Sequence, residues 1–218
     1  MTTENNFIYL TLALLILLFA SAVVEQYAGG YGQGLITAST VLMLIVGIFS
    51  IRSERRWFHT GLGLISTIVL VAIAESIMDQ AGLGHIHLLI MLGFFSLTAW
   101  LAIQQVLSVD TIYRNRITGA ICFYLLLGMI WAIIYLLLMR AEPGSFAGIS
   151  STDWQESFLR MIYFSFITLT TLGYGDISAA LPVSRFFVYL EAIVGQFYLA
   201  ILVASLIGMR FSVSGNKE

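Results

Sequence analysis

Thr168-Leu169-Thr170-Thr171-Leu172-Gly173-Tyr174-Gly175-Asp176 runs between two apolar segments, and its reading decides that of the whole chain. Gly173 and Gly175 carry no Cβ, so both can take positive φ and let successive carbonyls point the same way. The stretch before it, Trp154–Thr170, is amphiphilic and polar at its start, too short to span a bilayer. The stretch after it, Phe186–Met209, is long and apolar enough to cross. A short helix leading into a glycine-rich segment and out into a spanning helix describes a chain that enters the membrane and turns back. Irregular backbone survives at that depth only when buried in protein or lining water.

The composition agrees. The chain has 218 residues, of which 59% are hydrophobic and 10% charged, with a mean hydropathy of +0.94. Soluble domains carry about 25% charged residues, so this is an integral membrane protein. A net charge of −2 with scattered basic residues gives no footprint for nucleic acid. The single cysteine, Cys122, lies in an apolar run and reads as a small buried hydrophobe. Pro143 and Pro182 are read as loop residues flanking the turned-back segment. Charged residues are few, and no nucleophile–base or metal-ligand spacing points to an enzyme.

About 20 apolar residues cross a bilayer as a helix. Six candidates meet that length: Phe7–Val24, Leu35–Ile51, Phe58–Met78, His87–Ser108, Thr118–Met139 and Phe186–Met209. Ala20-Ser21-Ala22 imitates a signal-peptidase site, but the preceding MTTENN has no Lys or Arg, so the first helix is expected to be retained. In the six-span arrangement Arg52, Arg55, Arg56, Arg114, Arg116, Arg210 and Lys217 fall on one side. Arg140 and Arg185 fall in loops on the other side, with Arg160 in the short helix. The basic excess puts both termini in the cytoplasm and the Asp176 end of the glycine-rich segment outside.

That segment, in that setting, resembles the selectivity filter of potassium channels. From about Thr118 onward the chain is similar to the pore of that family: outer helix, turret, pore helix, filter, inner helix. The resemblance implies an all-α integral membrane fold, with six transmembrane helices plus a re-entrant pore helix and filter. It also implies assembly as a homotetramer in the cell membrane, since each chain supplies one filter strand of four. The carbonyls of Thr171, Leu172, Gly173 and Tyr174, with the Thr171 hydroxyl, would replace the hydration shell of K+ as it permeates. Gly175 completes that ion-binding stretch, and Thr170 and Asp176 flank it. Leu172 stands where valine is commoner, a mild departure because its carbonyl would face the ion. The pore helix would aim the negative end of its dipole at the water-filled cavity.

By the same resemblance Tyr163 and Phe164 form an aromatic cuff behind the filter, and the Tyr163 hydroxyl is placed to reach Asp176. Ile167 takes the place of a glutamate that some relatives pair with the Asp176 equivalent. In the inner helix Gly195 reads either as a gating hinge, with Ala200 lining the pore below it, or as a site of close helix packing. Glu191, one turn before Gly195, is an intramembrane carboxylate. It reads as a buried structural acceptor, protonated or hydrogen-bonded to Ser165 or Thr168, as a direct ion ligand, or as a solvated group near the outer end.

Residues 1–112 supply four spans before the pore domain of residues 113–218, as in voltage-sensor regions. From His87 to Val109 there is no Arg or Lys, so the charges needed for steep voltage sensing are missing. Glu75, Asp79, His85 and His87 read either as a metal or proton site or as polar helix ends at the lipid headgroups. The few residues after Arg210 leave no room in this chain for a nucleotide- or calcium-sensing domain. No cofactor is expected beyond K+ as permeant ion, and the partners are identical subunits and lipid. Three other functions compete with a selective channel: a subunit of a potassium transporter, a non-conducting assembly partner that keeps the pore fold, and a nonselective cation channel.

Overall fold

The structure is a computed structural model. It describes residues 6–27, 63, 66–71, 81–107, 113–149 and 154–214. Five helices carry the architecture: α1 (Asn6–Tyr27), α2 (Ala81–Leu107), α3 (Tyr113–Ala141), α4 (Trp154–Leu169) and α5 (Pro182–Ser214). Residues 63 and 66–71 are also helical. Among the described residues three helices are long and apolar enough to cross a membrane, over Gly84–Gln104, Ile117–Ala141 and Pro182–Ser205. The span expected at Leu35–Ile51, and most of that at Phe58–Met78, lie outside the described residues. So do Glu75 and Asp79.

Two boundaries and one loop differ from the sequence reading. α2 begins at Ala81, ahead of the expected start at His87, so His85 and His87 both sit inside the helix. Gly84 lies within this helix, and a Cβ there would lie 2.8 Å from the Arg140 guanidinium. The glycine leaves room for the arginine that ends α3, where a cation also suits the helix dipole. Pro182 is the first residue of α5 and not a loop residue; its fixed φ and missing N–H suit a first helical position. Ser184 reaches back to accept a hydrogen bond from the Leu181 N–H at 3.2 Å, as a third-position capping residue does. Two strands of two residues each, β1 (Phe146–Ala147) and β2 (Ser178–Ala179), join an otherwise helical fold.

α3 is the hub. It packs against α2, α4, α1 and α5. Only residues 108–112 separate α2 from α3, which makes the two helices neighbours within one chain. Thr11 in α1 donates to the Thr118 carbonyl of α3 at 3.3 Å. The fully buried Met91, Phe94 and Phe95 of α2 and Met129, Ile133 and Leu136 of α3 belong to one core. Apolar burial does not by itself hold helices together in lipid, because the tails are equally apolar; packing and interhelical hydrogen bonds do.

One face of α3 carries those bonds. Ala120, Tyr124, Gly128 and Tyr135 recur at helical spacing and each meets α4 or α5. Tyr198 of α5 donates to the Ala120 carbonyl at 2.6 Å, and its ring stacks on Tyr124 with centroids 5.7 Å apart. Gly128 lets α4 come close: a Cβ there would stand 2.6 Å from the Phe166 ring. Gly128→Ala should lower stability by about 1–3 kcal/mol, the usual cost of overpacking. Thermal unfolding of the detergent-solubilised protein reads this directly, and an unchanged midpoint would show that Phe166 simply moves aside.

Candidate functional site

α4 is a 16-residue helix that ends at Leu169, where the glycine-rich segment begins. Thr171 has φ 58°, Gly173 φ 53° and Gly175 φ 82°, so every second residue is left-handed. Gly173 and Gly175 adopt this at no steric cost, whereas Thr171 is the only non-glycine residue with positive φ among the described residues. Residues 170–176 are all exposed in the single chain, with Leu172 at 55% and Tyr174 at 69%.

The segment is anchored through its amides. The Thr171 N–H donates to the Thr168 carbonyl at 2.9 Å and the Gly173 N–H to the Ile167 carbonyl at 3.0 Å. Both bonds satisfy carbonyls that a helix C-terminus would otherwise leave open. The Thr170 hydroxyl turns back to the Phe166 carbonyl at 2.6 Å, so it serves the helix end and not the strand. The Leu169 carbonyl accepts from the Tyr124 hydroxyl of α3 at 3.2 Å. Gln196 of α5 donates to the Thr171 hydroxyl oxygen at 3.3 Å.

The outer end is held by two contacts. A Cβ on Gly148 would lie 2.1 Å from the Asp176 carbonyl oxygen, and Gly148 has φ +87°, so the turret backbone can press against the segment only because it is glycine. The β1–β2 pairing of Phe146 with Ala179 and of Ala147 with Ser178 sets the register of that contact. The Tyr163 hydroxyl meets the Asp176 carboxylate in a side-chain hydrogen bond. Phe164 points the other way, buried in an aromatic triangle with Tyr135 and Phe146 whose centroids lie 5.2 to 5.6 Å apart. Tyr163 and Phe164 therefore do different things: one ties the Asp176 end of the segment, the other wedges α4 against α3.

The inner end is held by Gly195. A Cβ there would come within 2.4 Å of the Leu169 carbonyl oxygen and 2.9 Å of Leu169 Cδ1. α5 runs unbroken through this position from Pro182 to Ser214, so the geometry supports close packing at Gly195. Ala200 is exposed on the same helix. One turn earlier Glu191 is fully buried and takes hydrogen bonds with Ser165 of α4, at 2.5 Å, and with Tyr135 of α3. Of the two hydroxyls expected from the sequence Ser165 is the partner; Tyr135, Gln196 and Tyr124 were not expected. Tyrosines in an apolar helix give no signal of their own: the spacing puts 124 and 135 on one face, and only the fold shows what that face meets. Among the described residues no group of three or more His, Cys, Asp or Glu side chains is placed to hold a metal ion.

Two substitutions probe these anchors. Tyr163→Phe removes the bond to Asp176 and should hasten the decay of current during sustained opening; an unchanged decay would dismiss the tie. Gly195→Ala places a methyl group against a helical backbone carbonyl, which cannot swing away as a side chain can. It should cost about 1–3 kcal/mol of stability, read as a lower melting temperature in detergent. Intact melting with altered opening would point to a hinge instead.

Residues 119–211 match the family model described as "Ion channel". The match covers the helix–turret–helix–segment–helix unit just described, and no more of the chain. No curated protein and no solved structure matches. Residues 119–211 are thus similar to an ion-channel domain, and the apolar helices and the composition mark a membrane protein.

Proposed function

We propose that the chain is the subunit of a potassium-selective channel, a homotetramer in which four copies of residues 171–175 line a common axis. The observation that carries the reading is the alternation of handedness at Thr171, Gly173 and Gly175. Alternating left- and right-handed residues turn successive carbonyls to one side, which is what a column of dehydrated cations needs. The chain spends left-handed strain on a threonine there, costing about 1 kcal/mol or more, and its hydroxyl supplies a further oxygen at the inner end.

Exposure supports the assembly. The segment and the α5 side chains Phe186, Tyr189, Ile193, Phe197 and Ile201 are uncovered in the single chain. Neighbouring copies, the cavity water and lipid would divide that surface between them. Thr171, Leu172, Gly173 and Tyr174 are the K+ ligands through their carbonyls, and Gly175 ends the column. Thr170, Asp176, Tyr163, Phe164 and Glu191 support it from behind. Conduction is passive, and ions held at successive sites repel one another forward.

Opening is not steeply dependent on voltage. The α2 helix, fourth in the six-span arrangement, carries no Lys or Arg from Ala81 to Leu107, whereas each charge moved across the field is worth about 2.3 kcal/mol per 100 mV. Both termini lie in the cytoplasm. A nonselective channel is disfavoured by the intact Gly-Tyr-Gly-Asp, and a transporter subunit by one complete segment per chain.

Purified protein in a planar bilayer, with potassium on one side and sodium on the other, tests this reading. Current should reverse near the potassium equilibrium potential and open with little dependence on voltage. Reversal near zero with clear unitary currents would refute selectivity.

A further inference from the structure

Glu191, Tyr135 and Ser165 are all fully buried, and they come from three different helices. Tyr135 donates its only hydroxyl proton to Glu191 Oε2. Ser165 Oγ lies 2.5 Å from Glu191 Oε1 and 2.7 Å from the Gly128 carbonyl oxygen. Both distances are those of full hydrogen bonds, so each contact needs its own proton. Ser165 has only one to give. A carbonyl oxygen is never a donor, so the Gly128 contact must use the serine's proton. The contact between Ser165 and Glu191 then has a proton only if Glu191 supplies it.

We propose that Glu191 is held as the neutral carboxylic acid and acts as a positioning residue for the pore helix. It donates from Oε1 to Ser165 and accepts at Oε2 from Tyr135. The protons then run in one direction, from Tyr135 to Glu191 and from Glu191 through Ser165 to the Gly128 carbonyl. Every polar atom in the cluster is satisfied, with none left over. With a carboxylate in the same place, one of the two Ser165 contacts, to Gly128 or to Glu191, would have no proton between its oxygens. The carboxylate's two partners are uncharged hydroxyls, and a buried charge without a countercharge is costly.

The cluster sits where it controls the segment. Glu191 and Gly195 are one turn apart on α5, and Ser165 and Leu169 are one turn apart on α4. Glu191 meets Ser165 while Gly195 meets Leu169, so the two helices are pinned at consecutive turns. The second pin lies at the residue where α4 ends and the exposed segment begins. A shift of the first moves the second.

The inference of position rests on the proposed filter; that of protonation does not. Glu191→Gln is the direct test, because its amide can donate to Ser165 and its carbonyl can accept from Tyr135. Glu191→Leu fills similar space with no hydrogen bonds. Infrared spectra of wild type and Glu191→Gln should differ by the carbonyl stretch of an un-ionised carboxylic acid, present only in wild type. The potassium-over-sodium permeability ratio should be kept in Glu191→Gln and fall roughly tenfold in Glu191→Leu, on the scale of a lost buried hydrogen bond. A carboxylate band in place of the acid band, or Glu191→Gln behaving like Glu191→Leu, overturns the proposal. If wild type conducts without selectivity the filter reading fails. The infrared band and the thermal stability of Glu191→Gln against wild type still decide the protonation. Should Glu191→Leu not fold, those same two measurements serve.

Discussion

A backbone that offers its carbonyls to a passing ion cannot use them to hold itself in place. Under the proposed function that constraint shapes everything around residues 171–175. A strand in a sheet or a turn of helix is stabilised through both its N–H and its C=O groups, and here half of that capacity is set aside for the proposed permeant ion. The amides of Thr171 and Gly173 bond back to the end of α4, and the remaining support comes from outside the segment.

The support is arranged in three places. At the outer end Gly148 presses against the Asp176 carbonyl, and Tyr163 holds its carboxylate. At the inner end Gly195 lets α5 touch the Leu169 carbonyl while Tyr124 hydrogen-bonds it. Behind both, Glu191, Ser165 and Tyr135 join the inner, pore and outer helices at one point. Two of the three depend on a glycine, where any side chain would force apart the backbones that must touch. The third depends on polar groups, whose hydrogen bonds remain selective between helices where lipid and core are equally apolar.

The sequence showed the segment clearly because its chemistry is local: two glycines, two threonines and an aromatic in fixed order. The helices around it were legible from apolar length: α1, α3 and α5 lie close to expected spans, and α4 close to the short stretch expected before the segment. Boundaries were less legible where a neighbour overrides local propensity. Apolar length starts the span at His87, yet α2 begins at Ala81 with Arg140 packed on Gly84, and Pro182 reads as a loop residue until it is seen opening α5. Partners across helices were the least legible. Glu191 stood out as a carboxylate in an apolar run, yet nothing local distinguishes Tyr135 from the other tyrosines of the chain. For Gly195 sequence reasoning left packing and hinging level, and the lack of room for a Cβ against the Leu169 carbonyl gives the packing reading its physical basis.

Electron density along the axis of the assembled protein, crystallised with thallium in place of potassium, tests the proposed filter most directly. Discrete anomalous peaks between successive rings of carbonyls from residues 171 to 174, on a four-fold axis, are expected. Absent peaks, or carbonyls turned away from the axis in an assembly of any other symmetry, would contradict it.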